Sequence, residues 1–218
     1  MRASTTAFAI LSLLGLSAAA PTPVELVPLA GTTLFPTFLQ QLTEANPSVV
    51  NPNTLSSGGD FHVAQTQDPV TGAVKNRIYQ IVAFENIPAG ANTCQLNIVF
   101  PNPYTITTTG NPSLNVTTLY NNSPSSITFP NSWSWSTFFP PTSPPLGQGL
   151  YGTVGGYNLA QGQAGVINSE GCPAGGGNLA FLFSIASWVY GSASVEFNEY
   201  VNNLNGAGLA GVYLTYNP

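Results

Sequence analysis

Phe61, Val63 and Gln65 fall on one side of an extended segment, and Cys94, Leu96, Ile98 and Phe100 line one face of another against Gln95 and Asn97. A period of two sends successive side chains to opposite faces of a strand. The same alternation predicts strands over 77–84, 113–120, 178–185, 192–200 and 209–216. Turn formers punctuate them: Pro88-Ala89-Gly90, Asn121-Asn122-Ser123-Pro124, Gly175-Gly176-Gly177 and Asn205-Gly206, with Asp68-Pro69-Val70-Thr71-Gly72 as a further turn. Pro140, Pro141, Pro144 and Pro145 make 139–149 an extended loop across one edge. Strands with one apolar face need a second sheet to cover it, so the pattern predicts an all-β fold, an antiparallel β-sandwich.

The period differs before residue 58. Phe35, Phe38, Leu39 and Leu42 fall at i, i+3, i+4 and i+7, Pro36 suits a first helical position, and Pro47 closes the run. A short amphipathic helix is expected there, docked through its apolar stripe because about ten residues do not hold a helix alone. Further upstream, Arg2 precedes an apolar run over 7–16 and the small residues Ser17, Ala18, Ala19 and Ala20. That is the layout of a secretory signal cleaved after Ala19, and the run falls well short of the roughly 20 residues a bilayer span needs. The expected organisation is a signal peptide over 1–19, a helical leader over 20–57 and a sandwich domain over 58–218.

Charge then narrows the partners. Only 5% of the 218 residues are charged, against about 25% in an ordinary globular protein. Once Arg2 leaves with the signal, Lys75 and Arg77 stand against eight acidic side chains. Two cations displace too few phosphate counterions for nucleic-acid binding. The lone histidine, His62, excludes a two-imidazole site, and two cysteines exclude a zinc knuckle. In an oxidising compartment Cys94 and Cys172 are expected to pair, and closing that loop is worth about 4.5 kcal/mol by chain entropy. Sequons at Asn115-Val116-Thr117 and Asn121-Asn122-Ser123 are expected on exposed, turn-rich chain as glycan acceptors, whereas Pro112 blocks the one at Asn111.

Little catalytic chemistry converges. His62 would point away from Phe61 and Val63, as an edge or solvent-facing residue or in a local ion pair with Asp60. Glu196 and Glu199 have odd spacing, which sends them to opposite faces of one strand, so they flank no common bond unless a bulge intervenes. No acidic loop has calcium-site spacing, and no metal or cofactor is expected. In Asn131-Ser132-Trp133-Ser134-Trp135-Ser136, an extended backbone would place the two indoles on one face about 7 Å apart. Trp133 and Trp135 then form either a glycan platform or the inward face of a sandwich strand.

Residues 84–101 (FENIPAGANTCQLNIVFP), 171–183 (GCPAGGGNLAFLF) and 195–217 (VEFNEYVNNLNGAGLAGVYLTYN) resemble the fungal secreted proteins that carry a C-terminal domain of the But-two, or ubiquitin-3-binding, type. The likeness runs from about Asp60 to the end and rests on structural motifs. It implies a β-sandwich. The signal sequence separates the chain from the ubiquitin-related role of the intracellular members. The expected function is a non-catalytic secreted or cell-wall-associated fungal module, with a glycan-binding module and a glycoside hydrolase acting through Glu196 as alternatives. The expected partners are cell-wall polysaccharide or another extracellular protein, with no nucleic acid and no membrane span.

Overall fold

The computed structural model describes residues 31–120, 127–140, 147–199 and 209–217. The predicted signal sequence, Asn121 and the Asn205-Gly206 turn lie outside them. Within them the chain is an all-β sandwich of two antiparallel sheets. The smaller has the order β1 (Thr32–Leu34), β12 (Gly211–Asn217), β5 (Asn92–Phe100), β9 (Gln163–Glu170). The larger runs β6 (Ile106–Thr109), β11 (Ala193–Asn198), β3 (Asp60–Gln67), β4 (Val74–Ile87), β10 (Gly177–Ile185), β7 (Leu114–Tyr120), β8 (Gly147–Val154), with β2 (Phe38–Thr43) paired to β4.

The expected helix over 35–44 is instead strand β2, in register with β4 from Phe38 opposite Ala83 to Thr43 opposite Ile78. The large sheet is apolar on both sides here. Leu39 joins the core between the sheets, while Phe38 and Leu42 join a second core on the outer face. A strand buried on both faces loses its alternation, and the leftover apolar positions coincide with a helical stripe. The presumed leader thus supplies β1 to the small sheet and β2 to the large one. The loop expected over 139–149 ends earlier than predicted, since β8 begins at Gly147.

Strand β4 organises the large sheet. Ile78 pairs with Thr43 of β2 and Ala64 of β3, so those strands take opposite edges of β4. Gln80 pairs with Gln41 of β2 and Phe183 of β10, so β10 takes the edge that β3 has just left. Phe61 of β3 keeps contact with β10 through an edge-to-face packing on Phe183 at 5.3 Å.

The two sheets enclose Phe61, Val82, Phe84, Leu96, Phe181 and Leu214, all fully buried. They meet at one rim, where Asn168 of β9 donates to the Tyr151 carbonyl of β8 at 2.6 Å. Gly152 allows that approach, because a Cβ there would lie 2.9 Å from the Ile167 carbonyl oxygen. The predicted disulfide is present: Cys94 of β5 is bonded to Cys172, just beyond β9, with a Cα separation of 5.0 Å.

Candidate functional site

Trp133 and Trp135 are each only 8% exposed. Backbone extension ends at Ser134, and α1 (Trp135–Phe138) follows, with the Ser134 N–H donating to Thr137 Oγ1 at 2.8 Å. Trp133 packs on Phe38 and Phe138, and Trp135 on Tyr79 and Phe139. Both indoles are therefore buried, but over the outer face of β2, β4 and β10 and from a loop and helical turn, not from the sandwich strand that the inward alternative supposed. Arg77 lies over the Trp135 ring at 5.0 Å while Glu44 holds its guanidinium at 2.6 Å. The hydrogen bond from Arg77 pulls the Glu44 carboxyl below its ordinary value.

The candidate acid–base residues are dispersed. His62 lies half-buried opposite Glu196, which has Thr107 on its other side. The local ion pair of Asp60 with His62 does not form; the Asp60 carboxylate accepts from Gln41 at 3.0 Å instead. Glu196 is exposed and Glu199 fully buried, as their odd spacing requires. Asn115 sits within β7 between Ser184 and Thr153, with its amide oxygen buried, and not in the exposed turn that the sequon suggested.

Sequence reasoning did not show two acids withdrawn from solvent, Glu199 fully and Glu170 in part. The Glu199 carboxylate accepts from the Val212 N–H at 2.9 Å. It occupies space that a side chain on Gly211 would take, since a Cβ there would come within 2.6 Å of the carboxyl carbon. Burial drives this carboxyl well above its ordinary range, against the opposing pull of the Val212 hydrogen bond. Burial, with the Glu199 charge second, pushes the Tyr104 phenol up to about 12, and its hydroxyl donates to the Asn198 carbonyl. Tyr104 borders a cleft of about 550 Å³ with Ile106, Thr108, Leu159 and Gln161, a wall without charge. Glu170, opposite Cys94 at the end of β9, is pushed up to about 7 by burial.

Exposed aromatic surface gathers elsewhere, on the 186–192 loop between β10 and β11. Ala186 N–H donates to the Ser113 carbonyl and Val189 N–H to the Ala186 carbonyl, at 2.8 and 2.9 Å. Beneath the loop, Gln65 of β3 donates to the carbonyls of Val189 and Gly191, and Gln67 accepts from the Gly191 N–H. Val189 packs into the main core. The residues flanking it, Trp188 and Tyr190, are 53% and 88% exposed.

The β6–β7 turn continues this end of the sandwich. Gly110 has φ +65°, and any Cβ on it would overlap the Ser192 carbonyl at 1.9 Å. On the other flank a Cβ on Gly156 would lie 3.1 Å from the Pro112 carbonyl, and the next residue, Tyr157, is exposed. Trp188, Tyr190 and Tyr157 thus belong to two segments that pack on one turn. Their sequence signal was aromatic residues between strands, in the class of segment that carries contacts outward.

Among the described residues no group of three or more His, Cys, Asp and Glu side chains is placed to hold a metal ion. No described helix is long and apolar enough to cross a membrane. No protein-family model, curated protein or solved structure matches the chain.

Proposed function

We propose that this protein is an exported, wall-associated, non-catalytic interaction module, and that its contact surface is the end bearing Trp188 and Tyr190. One observation carries this reading: two large aromatic side chains stand in solvent on a loop whose backbone is tied from beneath by Gln65 and Gln67. An unused aromatic is normally folded inward, as Trp133 and Trp135 are. Holding the loop before a partner arrives lowers the ordering cost of binding. The Cys94–Cys172 bond suits an oxidising compartment, and the signal-like residues 1–19 supply the route there. The intracellular ubiquitin-related role of the resembled family is not part of this proposal.

Fractionation of the tagged protein from a walled, secreting host tests the reading. Wild type is expected mainly in the wall fraction, and the Trp188→Ala/Tyr190→Ala variant mainly in the medium at equal expression. An unchanged distribution for a variant with wild-type circular dichroism overturns it.

A further inference from the structure

We infer that the Trp188–Tyr190 end binds a neutral, hydroxyl-rich polysaccharide chain, with sugar rings laid on the faces of Trp188 and Tyr190 and the chain continuing toward Tyr157. This inference rests on the proposed contact surface and names its ligand class.

Charge selects the ligand first. At the turn end of the adjoining β3–β4 hairpin the formal charges are Asp68 and Lys75, which lie 3.6 Å apart and offset one another. Bases could stack on the same rings, but a nucleic acid or an acidic glycan also needs cations along its backbone, and none is in excess here. A neutral ligand loses nothing by that.

Shape and spacing select next. Trp188 and Tyr190 are separated by Val189, which faces the core, and are bounded by Ser187 and Gly191. Tyr157 follows Gly155-Gly156 on the far side of the β6–β7 turn. The exposed rings flank Val189, and the chain beside them carries Ser187, Gly191 and Ser192. Separate aromatic faces with polar edges suit a pyranose chain. Each ring covers the C–H face of a sugar, while the phenol hydroxyls of Tyr157 and Tyr190 and the exposed Asn111 amide meet its hydroxyls. Preorganisation by Gln65 and Gln67 fixes the loop, so individually weak stacking contacts can add.

The full mature protein is titrated with hexasaccharides of β-1,3-glucose, β-1,4-glucose and β-1,4-N-acetylglucosamine, and with heparin as the anionic comparison. Tryptophan emission and calorimetry report binding, and chromatography reports whether the sugar is recovered intact. The expected result is a saturable blue shift with at least one neutral hexasaccharide and none with heparin. That shift should vanish in Trp188→Ala, and affinity should fall roughly tenfold in Tyr190→Ala. Silence toward all three neutral sugars overturns the inference, as does tighter binding of heparin or unchanged affinity in both variants. So does self-association that Trp188→Ala abolishes. Wall retention that needs Trp188 while every hexasaccharide is silent removes the glycan and leaves the contact surface standing. Cleavage of a hexasaccharide defeats the non-catalytic reading and leaves the aromatic platform in place.

Discussion

Gln80 stands where the backbone of His62 has lost its strand partner: Gln80 Oε1 accepts from the His62 N–H at 3.2 Å, and the Gln80 side chain is fully buried. Strand β3 pairs with β4 only from Ala64 onward, because β10 occupies the same edge of β4 from Gln80 to Ile87. The amide of Gln80 thereby satisfies a donor that the divergence would strand.

Removing that acceptor should cost more than removing the imidazole. Gln80→Leu is expected to lower stability by about 1–3 kcal/mol, the penalty for an unsatisfied buried donor. His62→Ala should change it by no more than about 0.5 kcal/mol, since only the backbone of His62 is used. Urea denaturation of both variants checks the contrast.

Stability should fall as pH rises from mildly acidic to basic. Glu170 and Glu199 both have folded-state values above the ordinary 4.5, Glu170 at about 7, chiefly through burial. A carboxyl raised on folding contributes fully below its unfolded value, and that contribution is lost as pH climbs through the folded one. Glu44 has the opposite sign: Arg77 lowers it, so its contribution disappears as pH falls through a value below 4.5. The thermal midpoint is therefore expected to be higher near pH 5 than near pH 8. Glu170→Gln should remove about 1–2 kcal/mol of that difference, allowing for its residual contact with water. Thermal scans across pH measure both effects.

Tryptophan emission should divide between two environments. Trp188→Phe is expected to shift the spectrum to the blue and remove most acrylamide quenching, because the remaining indoles are shielded. Trp133→Phe should leave quenching in place, since it spares the exposed indole. Stern–Volmer plots distinguish the two variants.

The disulfide should matter through the length of chain it closes. Its cysteines are 78 residues apart, and replacing both with alanine is expected to cost about 2–5 kcal/mol. Comparing urea midpoints of the bridged protein and the double variant reads that loss.

Strands β3 and β5 were legible because each has one face on the core and another that is more polar. Strands β6, β8 and β9 were not. β6 is four residues long with three threonines, and β8 carries Gly147, Gly149 and Gly152. On β9 the residues facing β5's core positions include Glu170 and Asn168, polar groups tolerated at the rim where the sheets close. Strand β2 misled for another reason: apolar residues are buried on both of its faces, Phe38 and Leu42 on one and Leu39 on the other, which breaks the period of two.

Composition and alternation by themselves determined the class of fold, and two cysteines with an export-like leader determined the pairing that closes it. Which aromatics face solvent was decided only in three dimensions. Trp133-Ser134-Trp135 and Trp188-Val189-Tyr190 share one local pattern of two rings around a smaller residue. The first lies over the outer face of β2, β4 and β10, where Phe38, Ile81 and Leu182 need cover, and it folds inward onto them. The second crosses an end of the sandwich where Val189 alone reaches the core, and its two rings remain in water. Burial follows from the surface that the fold brings beneath a side chain, and neighbours in sequence do not record that surface.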